Sequence, residues 1–458
     1  MKILNISFRT FVLLIFCLLL SSCEKLIEVE IPNNQISQEN VFQDPQTAYA
    51  ALAGLYAGLW DNSPLAGDQS GKSLGTYVDD LNCYATSNSN GIYDLYRNVQ
   101  ISSNSDIYSY WTNAYQKIYV ANSIIEGVDK STNLSDTDKK RIKGEALLIR
   151  SVLFYFLEQV FGDIPLPTTT DYMVNQSIGK TPSAQVLKSL ESDISFAATL
   201  LDDTYRNSER IFVNKKVAQL LLAKIYLLEM RNTDAEALLK EIIASPFYQF
   251  QNDITKVFIK SGSHILWQLK PKNSGDGTKE SIAYYFTNAA PNSIALTQDL
   301  LNAFSTNDLR KQNWIATITV GANNWSRVEK YKNRTNNTTE YSIVFRLEEV
   351  YLLLAEALGK QNKIAEGLPY LNKTRVRAGL TPLTGQFSQS TFITEVLLEN
   401  RKEFFCEMGH RFFDLKRNDR LNTLSVIKTN WKSYHNLWPL PQKELLLNPN
   451  LNPQNDGY

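Results

Sequence analysis

In the stretch PQTAYAALAGLYAGLW the apolar residues Ala48, Leu52, Leu55 and Leu59 recur at spacings of three and four, with Pro45 just ahead. That period places them on one face of a helix, and a proline in the first turn forfeits no hydrogen bond. The same spacing returns over about 110–129, 138–161, 183–201, 214–230, 233–244, 344–359, 363–378 and 390–417, so the chain is predicted to be mainly α. Very short links join 214–230 to 233–244 and 344–359 to 363–378, which forces each pair into an antiparallel hairpin. Ala223 and Ala355, small among leucines, permit close helix approach of the TPR-like kind, without a complete repeat at the ~34-residue period.

Two long stretches break the helical rhythm, about 61–108 and about 246–342, both rich in Asn, Ser, Gly and Tyr. Ordering irregular chain costs conformational entropy, and long insertions in compact helical proteins more often bind than merely connect. Inside the second, SHILWQLK and IATITV alternate like short strands.

The amino terminus has a different pattern. Lys2 and Arg9 precede FVLLIFCLLL, an apolar run too short to span a bilayer but suited to a secretory leader, and LSSC follows. Leucine, two small residues and a cysteine match the bacterial lipoprotein signal, in which Cys23 becomes the acylated first residue. The expected organisation is a signal peptide over 1–22, a lipidated tether over 23–40 and one helical domain over 41–458. Only Cys83 and Cys406 then remain, too few for a disulfide scaffold, and whether they pair is open at this point.

Lys and Arg total 47, as do Asp and Glu, which argues against a nucleic-acid partner. GDQSGKS, from Gly67 to Ser73, is one residue short of a phosphate loop and has no strand before it. His264, His410 and His435 lie far apart with no zinc-binding spacing, no GxSxG is present, and no local arrangement of carboxylates singles out a glycosidase pair. The most charged stretch is RKEFFCEMGHRFFDLKR. On one helix Glu403, Glu407 and Arg411 follow at i+4 steps and Asp414 lies three beyond, predicting a structural ladder of opposite charges and no active site.

Several segments together resemble the SusD/RagB family of outer-membrane nutrient-binding lipoproteins of the Bacteroidetes. They include LSSC with its tether, NVFQDPQTAYAALAGLY, WTNAYQKIYVANSII, EALLIRSVLFYFLEQVFGDIPLP, FRLEEVYLLLAEAL, LNKTRVRAGL, ENRKEFFCEMGHRFFDLKR and the closing LWPLPQKELLLNPNLNPQNDGY. The resemblance implies four TPR-like helix pairs with ligand-binding loops. It implies a lipid-anchored protein at the cell surface, non-catalytic and without cofactor or metal, acting as a lid on a SusC-like TonB-dependent transporter. Oligosaccharides, or in some members peptides, would be captured for import; a protein-binding TPR-like scaffold is the competing reading. GHRFFDLKR is similar to the family's scaffold signature, and Glu24, Glu28 and Glu30 behind Cys23 partly match its surface-export signal.

The resemblance further implies a site assembled from the two insertions. A sugar has an apolar C–H face and a rim of hydroxyls, so its chemistry wants aromatic platforms beside Asn, Asp or Arg. The first insertion offers Asp79, Asp80, Tyr84, Asn88, Asn90, Tyr93, Tyr96 and Arg97; the second offers Tyr284, Tyr285, Asn292, Trp314, Trp325 and Arg327. Trp111, Tyr115 and Trp267 lie in helix and strand patterns that suit the core.

Overall fold

The computed structural model describes residues 38–85 and 90–458; the expected leader, Cys23, most of the tether and Asn88 lie outside them. At the end of the expected tether, Gln38–Val41 is helical. Helices of eight residues or more are numbered α1 to α11.

The helices begin where capping chemistry allows. Asp44 accepts from the Thr47 amide ahead of α1 (Pro45–Asp61), and α2 covers Ser70–Tyr77. Asn104 accepts from the Asp106 and Ile107 amides at the start of α3 (Ser105–Lys130), and Ser135 from the Asp138 amide at α4 (Asp136–Phe161). Each cap satisfies an amide that lacks an intrahelical partner. From Gly144 to Phe161 every residue of α4 is buried, which makes it the central helix.

The array then follows chain order. α4 packs on α3 and on α5 (Ser183–Leu200); α5 on α6 (Lys215–Leu228); α6 on α7 (Asn232–Ala244). α7 packs on α8 (Leu347–Lys360) across a hundred residues of intervening chain, and α8 on α9 (Ile364–Arg377) and α10 (Gln389–Phe404). Ala223 and Ala355 are fully buried at these contacts. The protein is therefore mainly α, with helical hairpins at its core. No described helix is long and apolar enough to cross a membrane.

The second insertion leaves the array after α7 and returns at α8. Its base is closed by β2 (Ile265–Leu269) paired antiparallel with β8 (Ser342–Arg346). β3 (Gly275–Asp276) pairs with β7 (Thr335–Asn337), and β5 (Ile315–Val320) with β6 (Asn323–Val328) in a hairpin turned by Gly321 at φ +62°. β1 (Leu81–Cys83) pairs with β4 (Ile294–Leu296), which ties the first insertion to the second. A separate apolar cluster, including Phe258, Tyr284, Trp314, Tyr331 and Phe405, gives this region its own core.

Two expectations are corrected. The first insertion is not wholly irregular: it holds α2 and a helix over Ile92–Arg97. And 390–417 is not one helix. Cys406, Met408 and Gly409 take positive φ, so α10 ends at Phe404 and α11 (His410–Arg417) starts afresh. The cause is tertiary, since the Cys406 carbonyl is pressed against Gly71, where a Cβ would sit 2.3 Å away. The GDQSGKS glycines thus serve close packing, with Gly67 making room for the Glu280 carboxyl.

Candidate ligand-binding face

Breaking the helix redistributes the charges expected to form a ladder. Glu403 instead accepts from Arg346 at 2.5 Å, from Arg310 at 3.3 Å and from Arg377, while Arg310 also reaches Glu399 at 2.7 Å. Glu407 takes Lys330 at 2.6 Å and Arg346 at 3.0 Å, and Asp414 takes Arg417 at 2.6 Å. All of these side chains are nearly or fully buried. Burial opposes the Glu403 charge, but the Arg377, Arg346 and Arg310 guanidiniums outweigh it and hold its pKa far below the carboxylate range. This hub joins the second insertion, through Arg310, Lys330 and Arg346, to α9 and α10.

Arg411 pairs not with Glu407 but with Asp79, at 3.0 and 2.8 Å, and Arg401 takes Asp80 at 3.0 Å. Asp79 and Asp80 are 3% and 1% exposed, so these two candidates clamp the α2–β1 link to α10 and α11 and cannot meet ligand. Three more candidates are corrected on the same ground. The Tyr284 hydroxyl donates to the Cys406 carbonyl and the Trp314 indole to the Ile254 carbonyl, both within the insertion's core. Arg327, nearly buried, donates to Glu329 at 2.6 Å and to the Phe286 carbonyl.

Other candidates are less buried but do not line the cleft that Tyr84 and Trp325 share. Tyr93 and Tyr96 are half-buried and stack at 6.2 Å, with exposed Arg97 at 5.5 Å over Tyr93. Tyr96 donates to Asn82 at 3.3 Å, and Lys428, its pKa pushed down to about 7 by burial, donates to the Tyr96 carbonyl from below. Asn90 is a turn residue at φ +62° that donates to the Ser103 carbonyl, and Asn292 is exposed. Tyr285 is half-buried, with Arg327 and Arg334 at 4.3 and 3.3 Å from its ring centre.

Tyr84 and Trp325 do come together. Tyr84, 36% exposed, follows β1 and donates its amide to the Ser293 carbonyl at 2.6 Å; Trp325 sits on β6 opposite Ile318. Both line a cleft of about 500 Å³ with an apolar floor that includes Leu296 and Ile315 and a polar rim that includes Asn82, Gln298, Lys311 and Asn324. Aromatic faces beside amide and ammonium donors are suited to a polyhydroxylated ligand.

A second cavity, of about 600 Å³, lies on the helical side under the carboxy-terminal tail and takes in Trp111, Tyr115, Tyr119 and Tyr172. Trp111 is buried and Tyr115 donates to the Pro165 carbonyl, as core residues do, yet both border open space. A helical i, i+4 pair gives no signal that distinguishes the two roles. The described residues hold no group of His, Cys, Asp and Glu able to bind a metal, and Cys83 and Cys406 are free and buried.

A TPR-like helical array carrying a loop-built aromatic cleft is the class this architecture defines. The chain belongs to the SusD family. Residues 34–227 match the family model described as starch-binding, associating with the outer membrane, and residues 232–458 match that of the SusD family. SusD-like protein P25 of Formosa agariphila is 27% identical, with both chains covered in full. Among solved structures, a SusD superfamily protein from Bacteroides vulgatus has a TM-score of 0.79 at 21% identity, covering 91% of this chain and all of its own. Surface glycan-binding protein A from Bacteroides thetaiotaomicron, solved in complex with laminarihexaose, has a TM-score of 0.76 at 18% identity, covering 90% and 99%.

Proposed function

We propose that the protein captures oligosaccharides at the Tyr84–Trp325 cleft and delivers them, without catalysis, to a SusC-like TonB-dependent transporter. The observation that carries this reading is that one aromatic from each insertion, 241 positions apart in the chain (325 less 84), meets over a single cleft rimmed by hydrogen-bonding groups. Family membership supports it, as does the glycan held by a protein of the same fold. In this reading residues 1–22 are a leader and Cys23 carries the lipid. The 23–40 tether then holds the domain at the outer-membrane surface, and the helical array faces the transporter.

The test is calorimetric titration of the purified protein with plant, host and microbial oligosaccharides, with short peptides alongside. Expected affinities run from roughly micromolar to millimolar, about 4 to 8 kcal/mol. Tyr84→Ala and Trp325→Ala should each weaken binding while leaving thermal unfolding unchanged. A response to peptides alone would transfer the cleft to peptide capture. Silence from both, with retained co-purification of a transporter, would support a scaffold. Incorporation of labelled palmitate, abolished by Cys23→Ala, tests the anchor.

A further inference from the structure

Beside the Tyr84–Trp325 cleft lies a second, of about 580 Å³, bordered by Trp60, Lys72, Lys279 and Arg334. Ser293 lines it, and the Ser293 carbonyl is the group that holds the Tyr84 amide, so one strand end walls both clefts. We infer that the ligand is an anionic oligosaccharide, whose carboxylate or sulfate groups are gripped by Lys72 and Arg334 while its sugar rings lie against Tyr84 and Trp325. This rests on the glycan reading above and narrows it.

The charges around the two clefts do not balance. Two carboxylates, Asp68 and Asp276, border the second cleft. Asp68 lies 3.8 Å from Lys279, which also donates to the Asp61 carbonyl and sits 5.1 Å over the Trp60 ring; Asp276 accepts from Asn273 at 2.8 Å. Among the described residues, Lys72 and Arg334 make no ion pair with any acid. Asp106 feels the Lys72 charge from beyond ion-pair distance. Glu280 lies buried behind the cleft, its pKa pushed up to about 7 by that burial, so at neutral pH only about half of its charge is present and it offsets only part of the surplus. The first cleft adds Lys311 and has no carboxylate in its lining. A chain with 47 cations and 47 anions thus has a surplus of cations where its two insertions meet.

The donors also differ in kind, in a way that suits an oxyanion. Arg334 is exposed with its guanidinium carbon 3.3 Å from the Tyr285 ring centre, and its N–H groups have no acceptor among the described residues. Lys72 supplies a point charge from α2. The indole nitrogen of Trp60 is buried with no hydrogen-bond partner among the described residues. Guanidinium, ammonium and indole are all donors only, so what completes them must accept, and charge-assisted bonds to carboxylate or sulfate are the strong form.

Three probes of equal length test this by calorimetry: an oligogalacturonate, a sulfated carrageenan oligosaccharide, and the carboxyl-reduced, neutral counterpart of the first. At least one charged probe should bind roughly tenfold tighter than the neutral one, with the ratio falling as salt rises from about 50 to about 300 mM. In a Lys72→Gln/Arg334→Gln double variant of unchanged circular dichroism and melting temperature, the ratio should collapse to about one. Carboxylate-only or sulfate-only preference would each support the inference and name the anion. Neutral binding without charge preference, or a preference that survives the double variant, would overturn it and leave glycan capture standing. No sugar binding at all, including a response only to an aspartate-rich peptide, would overturn both.

Discussion

Glu280 offers a quantitative check on how the ligand face is built. Its carboxyl is buried with the Ser342 hydroxyl donating to it at 2.7 Å and no cation among the described residues paired to it, and burial pushes its pKa from 4.5 up to about 7. Burial is the largest cause, and the nearby Asp68 adds to it. A folded carboxyl that holds its proton over a pH range where the unfolded chain has released it makes the protein less stable as pH rises through that range. At about 1.36 kcal/mol per pH unit, the gap from 4.5 to about 7 amounts to about 3 kcal/mol, most of it lost between about pH 5 and pH 8. Glu280→Gln keeps the shape and an acceptor for Ser342 but cannot ionise. Urea unfolding of both proteins at the two pH values gives the double difference, in which other titrating groups cancel. The variant should gain about 2 to 3 kcal/mol on the native protein between the low and high pH. Parallel stability curves would refute the claim that a glutamic acid of raised pKa underlies the cleft.

The hub makes a prediction of opposite sign: Glu403→Gln strands the Arg310, Arg346 and Arg377 charges in the interior and should cost about 3 to 5 kcal/mol in urea unfolding, and a loss below about 1 kcal/mol would count against the network. Burial disfavours the charges of Glu399 and Glu356, but Arg310 and Arg417 respectively prevail and hold both pKa values down, as at Glu403. The stabilisation these acids give is complete above their unfolded pKa of about 4.5 and is lost as pH falls through their lower folded values, so an acid unfolding transition should appear by circular dichroism below about pH 4. Gly71→Ala would push a Cβ to 2.3 Å from the Cys406 carbonyl and should destabilise by about 1 to 3 kcal/mol, measured as a lower urea midpoint with unchanged slope.

Helices with an unbroken apolar period were legible to within a few residues, the widest gap being at 110–129, whose helix begins at Ser105. The pattern over 214–230 became α6 at Lys215–Leu228, because burial of one face decides both pattern and helix. The same reasoning failed at Phe405–Gly409, where the pattern continues but the chain turns at positive φ and packs the Cys406 carbonyl against Gly71, 335 positions earlier (406 less 71). The ligand face was half legible for a related reason. Composition marks 61–108 and 246–342 as different, yet irregular chain has no period from which to read which aromatics point inward. Tyr284 and Trp314 therefore looked no different from Tyr84 and Trp325, although the first two fill a core and the second two border a cleft. The significance of Lys72 and Arg334 lies in what fails to pair with them among the described residues, and no pattern along a chain carries that information.

Because α7 and α8 meet as if joined by a short link, the stretch from 245 to 346 is a detour the helical scaffold does not need for its own continuity. Loop length alone is a weak thermodynamic barrier, since closure entropy grows only logarithmically. Exchange of this detour between homologous chains is limited instead by compatibility at its foot. A transplanted stretch must present cations where Arg310, Lys330 and Arg346 stand, or the recipient's Glu403 and Glu407 are left buried and charged with too few partners. Recombination of ligand specificities in this architecture is thus permissive at positions such as Trp325 and Arg334 and strict at the three basic positions that reach the buried acids. A chimera designed by those three positions should fold where one designed by overall similarity would not.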